Sequence, residues 1–211
     1  TYDGTGPGMT ITSSTVNSGD TSNDTSIALQ FLSTEETSDF VVGNISVSNG
    51  SLGTLSNPSL DNRTFTAVFT PSGDGLCQIS VAENKFTDAA GNNNTVSNTF
   101  QWTYDSTSPG MTITSSTVTT GQTSNNSSIA LQFLSTEETS NFAIGDITTT
   151  GGTGSYSTLL NLSGDNRTFT TNFTPDGNAT YSISVPINKF TDSAGNNNTV
   201  SNTFQWTYDS T

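Results

Sequence analysis

The chain has 211 residues, with 18 Asp and Glu against 4 Lys and Arg, no histidine, and a net charge of -14 at pH 7. So few cations cannot assemble the basic patch that displaces counterions from phosphates, which excludes nucleic acid and argues equally against an anionic membrane surface. Only 29% of residues are hydrophobic and roughly a third are Ser or Thr, yet charged residues are few and the apolar ones are periodic, unlike a disordered segment. No stretch approaches the roughly 20 apolar residues of a membrane span. No signal peptide is present, so an export signal or anchor is expected outside this segment.

In chain order, apolar and polar residues alternate at Met9 and Ile11, at Ile27, Leu29 and Phe31, at Ile45 and Val47, at Phe65, Ala67 and Phe69, and at Ile79 and Val81. A last strand is expected from Ser97 to Tyr104, carrying Phe100 and Trp102. Turn-forming runs separate these segments: Asn17-Ser-Gly-Asp, Asn49-Gly-Ser, Pro71-Ser-Gly-Asp-Gly and Gly91-Asn-Asn-Asn. None has helical periodicity. The series then begins again. The opening Thr-Tyr-Asp-Gly-Thr-Gly-Pro-Gly-Met-Thr-Ile-Thr returns at Thr103 as Thr-Tyr-Asp-Ser-Thr-Ser-Pro-Gly-Met-Thr-Ile-Thr, and Thr-Tyr-Asp-Ser-Thr opens once more at Thr207.

Tyr2 and Tyr104 are 102 residues apart, and Tyr104 and Tyr208 are 104 apart. That period is far longer than a solenoid repeat and long enough for each unit to close its own core. Six or seven short strands in each unit predict an all-β protein of two tandem immunoglobulin-like β-sandwich domains joined end to end, without the Cys-Trp-Cys core of antibody domains. The first domain is expected over 1–103, and the second over 104–211 including the start of the next joint. A single barrel made from both halves fits less well, because duplicated joints argue for duplicated domains. Asp105-Ser-Thr-Ser-Pro-Gly is too short for a flexible tether, so restricted bending between the domains is expected. Thr207 to Thr211 read as part of no complete sandwich. They are expected either to lead into a third domain or to dock on the Asp3 end of a neighbouring copy.

Cys77 is the only cysteine, so no intrachain disulfide can form. Its counterpart in the second repeat is Tyr181, which fits a half-buried strand position tolerant of both residues better than an intermolecular link.

Several segments resemble a known family. Phe31-Leu-Ser-Thr-Glu-Glu-Thr-Ser-Asp-Phe-Val-Val-Gly-Asn-Ile, Phe69-Thr-Pro, Phe86-Thr-Asp-Ala-Ala-Gly-Asn and Tyr104-Asp-Ser-Thr-Ser-Pro are similar to the bacterial immunoglobulin-like repeats of giant surface adhesins. Ser135-Thr-Glu-Glu-Thr-Ser-Asn-Phe-Ala-Ile-Gly-Asp-Ile and Phe190-Thr-Asp-Ser-Ala-Gly-Asn make the match a second time. The resemblance implies an extracellular stalk or extender module without enzymatic activity, often stiffened by calcium. It also implies a role for Asp146 in its Gly-Asp-Ile segment, where the first repeat carries Asn44. The joint departs as well, with Gly4 and Gly6 where the second copy has Ser106 and Ser108.

Independently of that resemblance, strands alternating up and down bring Glu35, Glu36, Asp61 and Asp88 to the end of the first domain where Asp3 lies. In the second domain Asp105, Glu137, Glu138, Asp165 and Asp192 recur in the same order. Calcium takes six to eight hard oxygens, and such a cluster with backbone carbonyls could supply them. Solvated loop carboxylates and turn-bracing Asp residues are the alternative.

Asn-X-Ser/Thr sequons fall at Asn23, Asn44, Asn49, Asn62, Asn93, Asn125, Asn126, Asn161, Asn166, Asn172, Asn178 and Asn197. A composition this rich in Asn, Ser and Thr makes many such matches by chance. They are candidate glycosylation sites in a eukaryotic source and carry no meaning in a bacterial one.

No histidine is present to activate the serines, and adjacent Glu35 and Glu36 point apart on a turn, unlike a glycosidase pair. A non-catalytic structural module of an extracellular filament, stalk or giant adhesin, associating head to tail with its own kind, is therefore expected. The other reading is a glycan- or cell-surface-binding adhesin domain. It calls for an exposed aromatic cluster, whereas most aromatics here follow core alternation.

Overall fold

A computed structural model describes residues 2–211. Its internal contacts divide the chain into two units, Thr1–Ser106 and Thr107–Thr211. The first contains β1 (Met9–Ser13), β2 (Thr21–Ser22), β3 (Ile27–Ser33), β4 (Ile45–Ser48), β5 (Gly50–Leu52), β6 (Thr64–Pro71), β7 (Gly75–Val81) and β8 (Phe100–Tyr104). One sheet has the order β1-β3-β6-β5 and the other β2-β8-β7-β4. All pairings are antiparallel except β2 with β8.

Period-two alternation sends every second side chain inward, and the register aligns them in rows. Ile11 lies opposite Phe31 and Phe31 opposite Phe65, while in the other sheet Cys77 lies opposite Trp102 and Ile79 opposite Phe100. All are buried. The Phe69 ring meets Trp102 edge-on at 5.0 Å. Phe40 and Phe86, both from loops, close one end of the core, with Phe40 5.1 Å from each of Phe65 and Phe86. Each large apolar side chain sealed in this way contributes about 1.5–3 kcal/mol.

Beneath Phe86 the side chain of Asn94 is buried with all of its hydrogen-bonding capacity used. Its Oδ1 accepts from the Lys85 and Phe86 amides (2.7 and 3.0 Å), and its Nδ2 donates to the Ala82 and Thr95 carbonyls (2.8 Å each).

The second unit repeats the plan with β9 (Met111–Ser115), β10 (Thr123–Ser124), β11 (Ile129–Ser135), β12 (Thr148–Thr150), β13 (Gly154–Tyr156), β14 (Thr168–Pro175), β15 (Ala179–Ser184) and β16 (Phe204–Tyr208). Its sheets are β13-β14-β11-β9 and β10-β16-β15-β12. The two-sandwich, all-β reading of the sequence holds.

Four details differ from the sequence expectation. Val47 is 38% exposed, because β4 is an edge strand of which only Ile45 reaches the core. Cys77 is fully buried at 0% exposure. The last strand starts at Phe100, since Ser97 and Asn98 use their side chains to bind neighbouring backbone. Thr207 and Tyr208 pair with Thr180 and Ala179 as the end of β16, and Asp209 N–H donates to the Ser124 carbonyl at 3.0 Å. The last of these corrects the reading of Thr207 to Thr211 as outside any sandwich. Two short 3-10 turns, Val42–Asn44 and Ile144–Asp146, are too brief to show a helical period.

Candidate functional site

Three distant acidic residues converge in the first unit. Asp3, Glu35 and Asp88 each place a carboxylate oxygen within 4.8 Å of the others. Local structure fixes each one. Asp3 forms an Asx turn, its Oδ1 accepting the Thr5 N–H at 3.0 Å, and its carbonyl accepts from Asn92 Nδ2 at 3.2 Å. Downstream the segment is pinned by Thr95 N–H on the Pro7 carbonyl (3.0 Å) and by Thr34 N–H on the Gly8 carbonyl (2.9 Å), one residue before Glu35. Gly6 permits this path, because a Cβ there would stand 2.1 Å from the Asn93 carbonyl oxygen.

Asp88 is 8% exposed. Its Oδ1 accepts the Ala90 and Asn92 amides at 2.8 and 2.9 Å, and its Oδ2 accepts Asn92 Nδ2 at 2.9 Å. These bonds, the Asn92 side chain first, hold the Asp88 carboxyl below its ordinary range. Glu35 shifts the other way. Lost hydration and then the charges of Asp3 and Asp88 push its carboxyl up, while Arg63 opposes them. The opposed shifts follow from hydrogen bonds that favour the Asp88 carboxylate and from lost hydration and neighbouring negative charge at Glu35. Three hard oxygen donors suit a hard cation better than a soft one.

The remaining acidic candidates serve other purposes. Asp61 shares this end of the sandwich, since Arg63 donates to the Thr34 carbonyl and Thr37 N–H to the Asn62 carbonyl (2.8 Å). It is not in the group, however. Its Oδ1 accepts the Arg63 and Thr64 amides at 2.9 and 2.8 Å, and its Oδ2 accepts the Thr64 hydroxyl at 2.8 Å. Asp165 braces its own turn in the same way through Arg167 and Thr168, 2.9 Å in each bond. Both carboxyls are pulled below the usual range by these bonds, Asp165 far below it, with the backbone N–H groups of Arg63 and Arg167 contributing most.

Asp146 accepts the Ala143 N–H at 2.8 Å across its 3-10 turn, and Asn44 does the same for Val41 at 2.7 Å. Glu36 and Glu138 are exposed. Asp105 is half-buried at the end of the first unit, its N–H donating to the Ser22 carbonyl at 3.1 Å. In the second unit Glu137 is half-buried, and Asp192 is buried, accepting Asn196 N–H and Nδ2 at 2.8 and 2.9 Å. Asn92 and Asn196 escaped sequence reasoning. Their signal was the repeated Asp-x-Ala-Gly-Asn spacing, in which the Asn returns to brace the Asp.

Among the sequons, several Asn Nδ2 atoms, the point of glycan attachment, already serve the fold. Asn44 donates to the Lys85 carbonyl (2.7 Å), Asn49 to Gly73 (2.8 Å), Asn126 to Ser124 Oγ (3.2 Å), Asn161 to Asn166 Oδ1 (2.9 Å) and Asn178 to Asp209 (3.3 Å). Asn62, Asn93, Asn125, Asn166, Asn172 and Asn197 are exposed, and Asn23 is half-buried.

The fold and this end cluster define a tandem immunoglobulin-like sandwich. The family model described as "Bacterial Ig-like domain" matches residues 3–104 and again 105–208, and the chain belongs to that family. Among curated proteins none matches. Similar solved structures include invasin, titled a bacterial integrin-binding protein, at 12% identity over 83% of this chain and 36% of that one, with a TM-score of 0.48. FdeC, an Escherichia coli adhesin, gives 12% identity over 96% of this chain and 62% of its own, with a TM-score of 0.47. The D00-D0 domain of intimin gives 10% over 93% and 98%, with a TM-score of 0.44. The chain thus spans less than two thirds of the invasin and FdeC chains. No helix among the described residues is long and apolar enough to cross a membrane.

Proposed function

We propose that the chain is a non-catalytic spacer from an extracellular stalk, filament or surface adhesin, in which sandwich repeats follow one another head to tail. The observation that carries this reading is the duplication itself: two bacterial Ig-like repeats, each closing its own core with largely equivalent residues in the same register. Duplication of a whole sandwich adds length or valency. Burial of both Trp residues and most Phe side chains inside those cores supports a spacer over a glycan-binding face. Negative-stain imaging tests the reading. Strings of beads or regular fibres are expected, whereas isolated compact particles that bind glycan arrays would favour the adhesin-domain alternative.

The finer part of the proposal is calcium at Asp3, Glu35 and Asp88, with Glu137 and Asp192 of the second repeat at the places equivalent to Glu35 and Asp88. The cation would offset the lost hydration and the charges of Asp3 and Asp88 that together raise the Glu35 carboxyl, and the carboxylates would supply its oxygen ligands. Ligand at 100 times its dissociation constant adds about 2.7 kcal/mol, so chelation should lower the melting temperature by several degrees. An unchanged melting curve in excess chelator rejects calcium and leaves the spacer reading standing.

A further inference from the structure

The first strand of each unit lies at the edge of its sheet, with β1 paired only to β3 and β9 only to β11. Such an edge presents unpaired N–H and C=O groups to any strand of suitable pattern. In this chain the hazard is acute. β1 and β9 are both Met-Thr-Ile-Thr-Ser, and their native partners β3 and β11 are both Ile-Ala-Leu-Gln-Phe-Leu-Ser. Every copy therefore carries two identical edges, each open on the side away from its interior partner strand.

At the centre of each edge the outward-facing backbone is already occupied. Asn98 Oδ1 accepts the Ile11 N–H at 2.8 Å while Asn98 Nδ2 donates to the Ile11 carbonyl at 2.9 Å. Asn202 does the same to Ile113 at 2.7 and 3.0 Å. One side of an Asn amide presents an N–H donor beside a C=O acceptor, so it copies the pairing of a strand, but it carries no backbone to continue the ladder. Its placement is enforced. Ser97 N–H donates to the Val81 carbonyl (2.9 Å), and Ser97 Oγ accepts the Val81 N–H (2.8 Å) and donates to the Asn98 carbonyl (2.7 Å). Ser201 repeats this at 3.0, 2.8 and 2.7 Å with Val185 and Asn202.

We propose that Asn98 and Asn202 are edge guards, closing β1 and β9 to strand addition by another copy of this chain. Identical repeats can then be crowded on one polypeptide, and many polypeptides on one surface, without lateral sheet fusion.

The test compares the parent chain with Asn98→Ala/Asn202→Ala by sedimentation velocity over a concentration series, with hydrogen exchange read at the Ile11 and Ile113 amides. The double variant should shift to dimer mass and above relative to the parent, and at low concentration both amides should lose their protection. Adding Thr12→Lys and Thr114→Lys, exposed charges on the same strands, should return the mass to the parent value. In a chain of net charge -14 the added lysines reduce overall repulsion, so a rescue can come only from the edge. A double variant with the parent's mass profile overturns the proposal, as does association that the lysines leave undiminished. If the alanine variant does not fold, Asn98→Asp/Asn202→Asp keeps the acceptor and removes the donor. It should show a smaller shift of the same kind, and its absence would also overturn the proposal.

Discussion

The two repeats differ in the core where Cys77 of the first corresponds to Tyr181 of the second, opposite Trp102 and Trp206 respectively, and that difference shows how a core substitution propagates. Ser48 pairs with Gln78 and Gly50 with Pro71, and at the equivalent places Thr150 pairs with Ser182 and Gly154 with Pro175. Between those fixed points the first repeat has Asn49 alone, and the second has Gly151, Gly152 and Thr153. The whole difference in repeat length is therefore spent over this one side chain.

Asn49 packs directly on the small thiol, donating to Cys77 Sγ at 3.6 Å. The Tyr181 ring needs that space. A Cβ on Gly152 would come within 2.7 Å of the ring, and Gly151 turns at φ 91°. The longer loop also supplies the Thr153 carbonyl, at 3.2 Å, beside that of Gly177, at 2.7 Å, to accept from the Tyr181 hydroxyl. The neighbouring indoles differ too. Trp206 Nε1 donates to Ser124 Oγ at 2.9 Å, whereas buried Trp102 Nε1 has no partner among the described residues. A carboxylate can only accept, so the Ser22 hydroxyl donates to Asp24 at 2.6 Å; at the equivalent position Asn126 instead donates to Ser124.

The sharpest way to break the comparison is to exchange the core residue without its loop. Tyr181→Cys should cost about 3–5 kcal/mol, as other large-to-small changes at buried aromatics do. Cys77→Tyr should cost about 1–3 kcal/mol by overpacking, and replacing Asn49 with Gly-Gly-Thr in that variant should recover most of the loss. Denaturant unfolding reads both, and a loop exchange that fails to rescue would separate loop length from ring size.

A smaller effect of opposite sign is expected from Asp24→Asn, which imports the second repeat's arrangement. With Ser22 released to the Trp102 N–H, the first repeat should gain about 0.5–1.5 kcal/mol, seen as a higher melting temperature. A loss would mean that the Ser22–Asp24 bond outweighs the indole.

The smallest effect concerns acid. Lost hydration pushes the Asp39 carboxyl up, but hydrogen bonds from Thr87 N–H and the Thr37 and Thr87 hydroxyls outweigh it and leave it below its ordinary value of 3.8. The second repeat places neutral Asn141 there, accepting from Thr191 N–H at 3.0 Å. A depressed folded-state value stabilises above the unfolded value and is lost as pH falls through the folded one. Between those limits Asp39→Asn should flatten the acid-side fall in first-repeat stability, measured by hydrogen exchange resolved to each repeat, and leave the second unchanged.

Most of the sandwich was legible because side chains on a strand alternate with period two, so Ile11, Phe31, Phe65 and Trp102 announce their inward face. Phe40 and Phe86 were not, since loop residues have no period and reach the core only through the path of the chain. The end cluster was legible only in outline. Strand direction brings Asp3, Glu35 and Asp88 together across the sequence, but it cannot show that Asp61 and Asp165 spend their oxygens on amides two and three residues ahead. Asn98 and Asn202 escaped for the same reason. An amide that satisfies an edge 87 or 89 residues away leaves no local pattern.

The sealed thiol of Cys77 makes the first repeat separately observable. Burial pushes its pKa up, and at 0% exposure a thiol reagent finds it only when that sandwich opens, while the second sandwich contains no cysteine to confuse the signal. Labelling kinetics on the unmodified chain thus become a stopwatch for one repeat beside its near twin.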